Sequence, residues 1–202
     1  MKSNVCRIDN GSKDLEAILK ESEKVAVYNE LSKKQTLQLR LLCEEIDGML
    51  PNIVDEFEGD LWIEFEDGVC KVHISIALAE ITSSRKKELI NVAKNKKNAA
   101  VGGIGGRIRA AVEDYFLKDE KVPVYDMSSS FYGMATSGCI GVDYSYLWTL
   151  NQYKTSVKDN AQAEDWDELE KSIIASIADD VIVSVKGKKV EIVIIKEFKK
   201  EN

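Results

Sequence analysis

Histidine is the scarcest chemically versatile residue in this chain. His73 is the only one in 202 residues, so neither a two-histidine metal site nor a histidine pair is open to it. Proline is nearly as rare, at 2, and the balance of 44% hydrophobic to 31% charged residues speaks against a disordered or fibrous chain. The four cysteines, Cys6, Cys43, Cys70 and Cys139, show no short spacing, so no pair reads as a zinc ligand set. Cys43 and Cys70 fall within apolar patterns and read as buried free thiols. No apolar run approaches the ~20 residues that cross a bilayer, and the N-terminal stretch has no apolar leader segment. These absences lead to the expectation of a cytoplasmic chain with no membrane partner. The net charge of −7 sets it against nucleic acid as a partner, since a polyanion is repelled.

Hydrophobic periodicity is well marked. Val5 to Asp9 reads as a short strand. Leu15, Ile18, Leu19, Ser22, Val25 and Ala26 recur at helical spacing from Asp14 to about Leu31. Ser32 and Gln35 then form a capping box ahead of a second helix, whose stripe is Leu39, Leu42, Ile46, Met49 and Leu50 and which Pro51 is expected to stop. Alternation over Leu61 to Glu66 and Cys70 to Leu78, around Asp67-Gly68, predicts a hairpin. Arg85 to Lys94 reads as a short helix, Val122 to Tyr125 as an edge strand and Met127 to Gly141 as a long loop. A strand is expected over Val142 to Leu150, and Lys158 to Asp165 reads as a polar linker. A helix with Leu169, Ile173, Ile174 and Ile177 on its stripe precedes a second hairpin, Val181 to Val185 and Val190 to Phe198. Helices grouped apart from hairpins predict a two-layer α+β sandwich, forming a single domain over 1–202.

The stretch most suggestive of function runs from Asn95 to Phe116. Gly102, Gly103, Gly105 and Gly106 precede a helix carrying Ile108, Ala111, Val112, Tyr115 and Phe116 on one face. The N–H groups of that helix would face an anion, with Lys96, Lys97, Arg107 and Arg109 nearby. The spacing fits neither a Walker A loop nor the dinucleotide fingerprint. A tight connection between helices uses glycine equally well, and the residues alone leave both readings open. Glu44, Glu45 and Asp47 near the end of the second helix are candidates for binding Mg²⁺ or activating a water, or form a solvated face. His73 lies on the polar face of its strand with Lys71 and Ser75 and reads as an ordinary surface residue. A hydrolase built on Cys139 or Ser128 to Ser130 would need His73 as base, and the sequence shows no residue to orient it.

The second helix, KKQTLQLRLLCEEIDGML, resembles the N-box helix of the GHKL superfamily, the ATP-binding domains of histidine kinases, anti-sigma kinases, gyrase and Hsp90. The hairpin GDLWIEFEDGVCKVHISI is similar to the pair that follows in anti-sigma-type members. VGGIGGRIRAAVEDY resembles the glycine-rich lid with its helix, and KKVEIVIIKEF the last strand. The resemblance implies a Bergerat-type sandwich, a mainly antiparallel mixed sheet with helices on one face, in which residues about 122–165 are an insertion. It implies ATP and Mg²⁺ as ligands, Glu45 as the base, and Lys97, Gly102, Gly103, Gly105 and Gly106 around the phosphates. The chain departs from the pattern at two places. Counting four residues on from Glu45 reaches Met49 where the family has a Mg²⁺-binding Asn, and ALAEITSS stands where its Asp-x-Gly meets adenine. Asp47 or Asn52 substitutes for that Asn only with a changed register. Two functions follow as expectations. One is an ATP-binding signalling or regulatory protein that acts on a protein partner. The other is a catalytically inactive interaction module of the same fold, with the aromatic Phe131 to Tyr153 region as a contact surface.

Overall fold

The computed structural model describes residues 1–9, 15–54, 57–78, 103–117, 145–160, 169–186 and 189–199. Strands β1 (Cys6–Asp9), β2 (Phe57–Glu66), β3 (Val69–Leu78), β4 (Ser145–Thr149), β5 (Asp180–Lys186) and β6 (Lys189–Glu197) form one sheet in the order β1-β2-β3-β6-β5-β4. Every pairing between them is antiparallel, where a mainly antiparallel mixed sheet was expected. The helices are α1 (Leu15–Tyr28), α2 (Lys33–Ile53), α3 (Gly103–Leu117), α4 (Leu150–Asn160) and the single turn α5 (Ile173–Ile177). The fold is an α+β sandwich with one continuous core.

Register explains that core. Leu61 lies opposite Ile74, Ile74 opposite Ile192, and Ile192 opposite Val183, so one row of buried side chains crosses four strands. Leu39, Leu42, Ile46 and Leu50 of α2 join it in the same cluster. β5 is buried on both faces, since Asp180, Ile182 and Ser184 are covered as well as Val181, Val183 and Val185. Asp180 is a buried carboxylate with a structural task. Its Oδ1 accepts from the N–H groups of Asn151 (3.1 Å) and Val181 (2.8 Å), so it caps the start of α4.

The Asp67-Gly68 turn takes φ values of 50° and 81°, the type I′ signature that matches strand twist. The Ser32–Gln35 capping box is present, with Ser32 N–H donating to Gln35 Oε1 at 2.9 Å and Gln35 N–H to Ser32 Oγ at 3.4 Å. Cys6, Cys43 and Cys70 are buried and outside any disulfide, and burial pushes the Cys70 thiol up to about 12 and that of Cys43 higher still.

Several boundaries differ from expectation. α1 ends at Tyr28, short of Leu31, in a Schellman motif. Glu30 takes φ 53°, its N–H reaches Val27 O, and the Leu31 N–H reaches Ala26 O. No glycine marks that stop. α2 runs through Pro51 to Ile53, because Pro51 is exposed while Leu50 and Ile53 are buried and hold the last turn on the core. β2 begins at Phe57, before the expected Leu61. It passes through Gly59, where a Cβ would stand 2.3 Å from the Ser75 carbonyl oxygen. Of the expected strand at Val142 to Leu150, Ser145–Thr149 is strand and Leu150 is already helix, while 142–144 lie outside the described residues. Leu150, Tyr153 and Val157, at helical spacing, then begin α4, so part of the expected linker is helix. Ser172 restarts the last helical turn by accepting from Ala175 N–H at 3.2 Å, which leaves Ile173 exposed and Ile174 buried. The expected features at Arg85 to Lys94 and Val122 to Gly141 lie outside the described residues.

Gly59→Ala should lower the unfolding free energy by about 3 kcal/mol in urea titration, because the added methyl meets backbone that cannot rotate away. An unchanged midpoint would contradict the close β2–β3 approach.

Candidate functional site

Three of the four glycines are not followed by the helix but belong to its first turn. α3 opens on Gly103, with φ 88°, and includes Gly105 and Gly106. The first N–H groups of a helix have no partner within it, so this end carries donors that the helix does not use and a positive dipole end. Among the described residues a Cβ on Gly103 would meet nothing within 4 Å, so that side of the turn is open to them. Gly105 is glycine for a different reason. A Cβ there would lie 3.0 Å from Met49 Cγ and 3.3 Å from Asn52 Cβ, so α3 closes directly onto α2. The phosphate reading and the helix-contact reading therefore apply to different glycines of one turn.

The same contact orients the acidic end of α2. Glu45, Met49 and Asn52 are spaced i, i+4 and i+7 and share a face. Met49 is buried against Gly105, while Asn52 is exposed and its Nδ2 donates to Gly48 O at 3.4 Å. Glu45 is half-buried one turn behind Met49. The structure thus joins Asn52 to the glycine turn and leaves Glu45 about 10 Å from Asn52 along the helix axis. Met49, four residues after Glu45, is packing and no metal ligand. Arg109 is engaged by Glu113 at 2.8 Å, and the Arg107 guanidinium lies over the Tyr153 ring at 5.4 Å. Neither arginine is simply poised for an anion. Lys97 and Gly102 lie outside the described residues, as does Lys96. Trp148 and Tyr153 pack against the core, in keeping with a packing role for these two aromatics.

His73 differs from its expected role as a plain surface residue. Its ring stacks on Trp62 at 4.9 Å with an interplanar angle of 2°, and its side chain is 15% exposed. Nε2 comes within 3.3 Å of Glu64 Oε2 without hydrogen-bond geometry. Trp62 Nε1 donates to Glu64 Oε1 at 3.0 Å. Lys2 Nζ lies 3.1 Å from the same oxygen and 4.8 Å from the Trp62 ring centre. Burial pushes the imidazole below its ordinary pKa, against the opposing pull of Glu64. Burial also raises Glu64, but Lys2, Trp62 and His73 outweigh it and hold the carboxylate below its usual value. At neutral pH this is a neutral imidazole beside a carboxylate, stacked and held. Glu64 was missed because cross-strand neighbours are invisible to a single-strand pattern. The diagonal from Glu64 to His73 follows only from the Trp62–His73 register.

Among the described residues, no three His, Cys, Asp or Glu side chains stand close enough to hold a metal ion, and no helix is long and apolar enough to cross a membrane.

Two outcomes follow. Gly103→Ala should cost roughly 1–2 kcal/mol through its left-handed φ, while Gly105→Val should cost about 2 kcal/mol through Met49; Met49→Ala, added to the second variant, should recover part of the loss in a double-mutant cycle. His73 has a folded pKa below that of the unfolded chain, so the unfolded state takes up a proton that the folded state declines. Its contribution is present above pH ~6.5 and is lost as pH falls below that value. His73→Phe, which keeps a ring for the stack, should flatten urea stability between pH 7 and pH 5.5; an unaltered slope would overturn this account.

No protein-family model, curated protein or solved structure matches the chain, so the likeness to GHKL proteins rests on its sequence alone.

Proposed function

We propose that this protein is a regulatory domain that binds a nucleotide through its phosphates at the first turn of α3. The observation that carries this reading is the open, left-handed Gly103 at a helix N-terminus whose neighbour Gly105 is pinned beside the exposed amide of Asn52. The backbone donors of that turn suit phosphate oxygens, and Asn52 adds one neutral side-chain donor. The sequence resemblance supplies the nucleotide. ATP fits this reading through its phosphates; Mg²⁺ fits poorly, because buried Met49 occupies the position of the expected ligand. The reading is therefore of binding, with Glu45 too far from Asn52 to work on the same group.

A second reading, an interaction module that takes no nucleotide, is favoured by a separate observation. Val27, Tyr28 and Leu37 are 78%, 71% and 55% exposed. Val27 and Leu37 lie one turn beyond the Arg40–Glu23 ion pair that joins α1 to α2, on the side of the connecting turn.

ATP at a hundredfold excess over its Kd stabilises the folded state by about 2.7 kcal/mol, which raises the melting temperature by several degrees. The shift should be nearly the same with and without Mg²⁺. Asn52→Asp, a change at an exposed position, should abolish it by setting a carboxylate against the phosphates. No shift at millimolar ATP would overturn the nucleotide reading and leave the second one.

A further inference from the structure

The sheet ends at β1, and the side of β1 away from β2 faces α1 across a cleft of about 340 Å³. That size is at the small end for ligand clefts, roughly 300–1,000 Å³. Its walls are Val5 and Arg7 on the strand side and Ala17, Lys20, Glu21 and Lys24 on the helix side. The helical residues are spaced i, i+3, i+4 and i+7, so one face of α1 runs along the strand edge.

The backbone of this edge is open for a reason that the register makes plain. Ser3 N–H donates to Ile63 O, whereas Cys6 lies opposite Leu61. Three steps along the N-terminal segment therefore cover two along β2, which is a β-bulge at Asn4 and Val5. The bulge turns the Asn4 N–H away from β2, and it donates to Glu21 Oε2 at 3.1 Å; Asn4 Nδ2 donates to the other oxygen at 3.1 Å. Beyond the bulge, the backbone groups of Phe65 and Ile63 point toward the N-terminal segment, and by alternation those of Leu61 and Gly59 do too. Cys6 and Ile8 meet them, so the N–H and C=O of Arg7 point outward into the cleft, without a partner among the described residues.

We propose that the groove between β1 and α1 takes up an extended, acidic segment of a partner protein, which adds to β1 as an edge strand. Main-chain bonds to Arg7 supply register, exposed Val5 supplies an apolar contact, and α1 closes the far side. The charge selects the occupant. The Arg7 side chain is engaged by Glu58, Lys24 is engaged by Glu21, and Lys20 is exposed with no ion pair among the described residues. The groove therefore presents an unmatched cation in a chain of net charge −7. A second copy of this chain would bring its own Lys20 and Lys24 against these, so an acidic foreign strand fits better.

The test uses fluorescein-labelled peptides, Val-Glu-Val-Asp-Val-Glu and its counterpart with lysine at the three acidic positions, read by anisotropy against the full chain. The acidic peptide should bind and the basic one should not. Lys20→Glu should weaken binding roughly fivefold. Arg7→Ala, which keeps the N–H, should bind nearly as well as the unaltered chain. Arg7→Pro, which lacks the N–H at an edge position where proline is tolerated, should lose binding. Should Arg7→Pro fail to fold, an acidic peptide N-methylated at alternate amides, offered to the unaltered protein, should lose binding in the same way. Equal binding of both peptides, or none at millimolar peptide, would overturn the proposal. So would self-association in sedimentation equilibrium that Lys20→Glu strengthens, because a second copy would then fill the groove.

Discussion

The register of the β2–β3 hairpin is the constraint on which the rest of the structure depends. Two residues with positive φ, Asp67 and Gly68, fix it, and a slip of one position would turn every buried side chain of β2 to the other face. The turn is also anchored from outside, since the Phe198 N–H reaches Gly68 O at 2.8 Å, which carries β6 into the same alignment. The Leu61–Ile74–Ile192–Val183 row then exists as a unit, and α2 has a surface on which to lay its stripe. The close passage of Gly59 over Ser75 belongs to the same constraint, because strands held in this register leave no space there for a side chain.

Much of this architecture was legible because it is local. The I′ turn, the Ser32 capping box and the alternation of β3 and β6 are each set by residues within a few positions of one another. What was not legible depended on partners distant in sequence. The start of β2 was hidden because Glu58, Gly59 and Asp60 are poor strand formers on their own and take strand form only with β3 beside them. α4 was hidden because Leu150 and Tyr153 also suit the end of a strand, and its start is capped by Asp180, 29 residues away. α1 stops without glycine because Glu30 bears the left-handed conformation itself.

The candidate site follows the same division. The glycine cluster stood out in sequence, but its two meanings did not separate there. Gly103 is demanded by backbone conformation and Gly105 by the proximity of Met49, and only the packing of α2 on α3 tells them apart. Asn52 entered the sequence reading as a substitute metal ligand in a shifted register; its place beside Gly105 follows from the helix contact. His73 went further from expectation, because the ring it stacks on, Trp62, and the carboxylate beside it, Glu64, both lie on the neighbouring strand.

Glu21 carries a consequence for the behaviour of the chain in concentrated solution. An open strand edge is a template for other chains, and proteins guard such edges with charge or irregularity. Here the helix lends its carboxylate to the strand as a false neighbour, satisfying the Asn4 N–H, and Lys24 first among its contacts holds that carboxylate below its ordinary pKa. The guard is thus reversible and tied to acidity. It stands while Glu21 is ionised and weakens as the group takes up a proton, so the chain is more open to edge-to-edge aggregation in acid than at neutral pH.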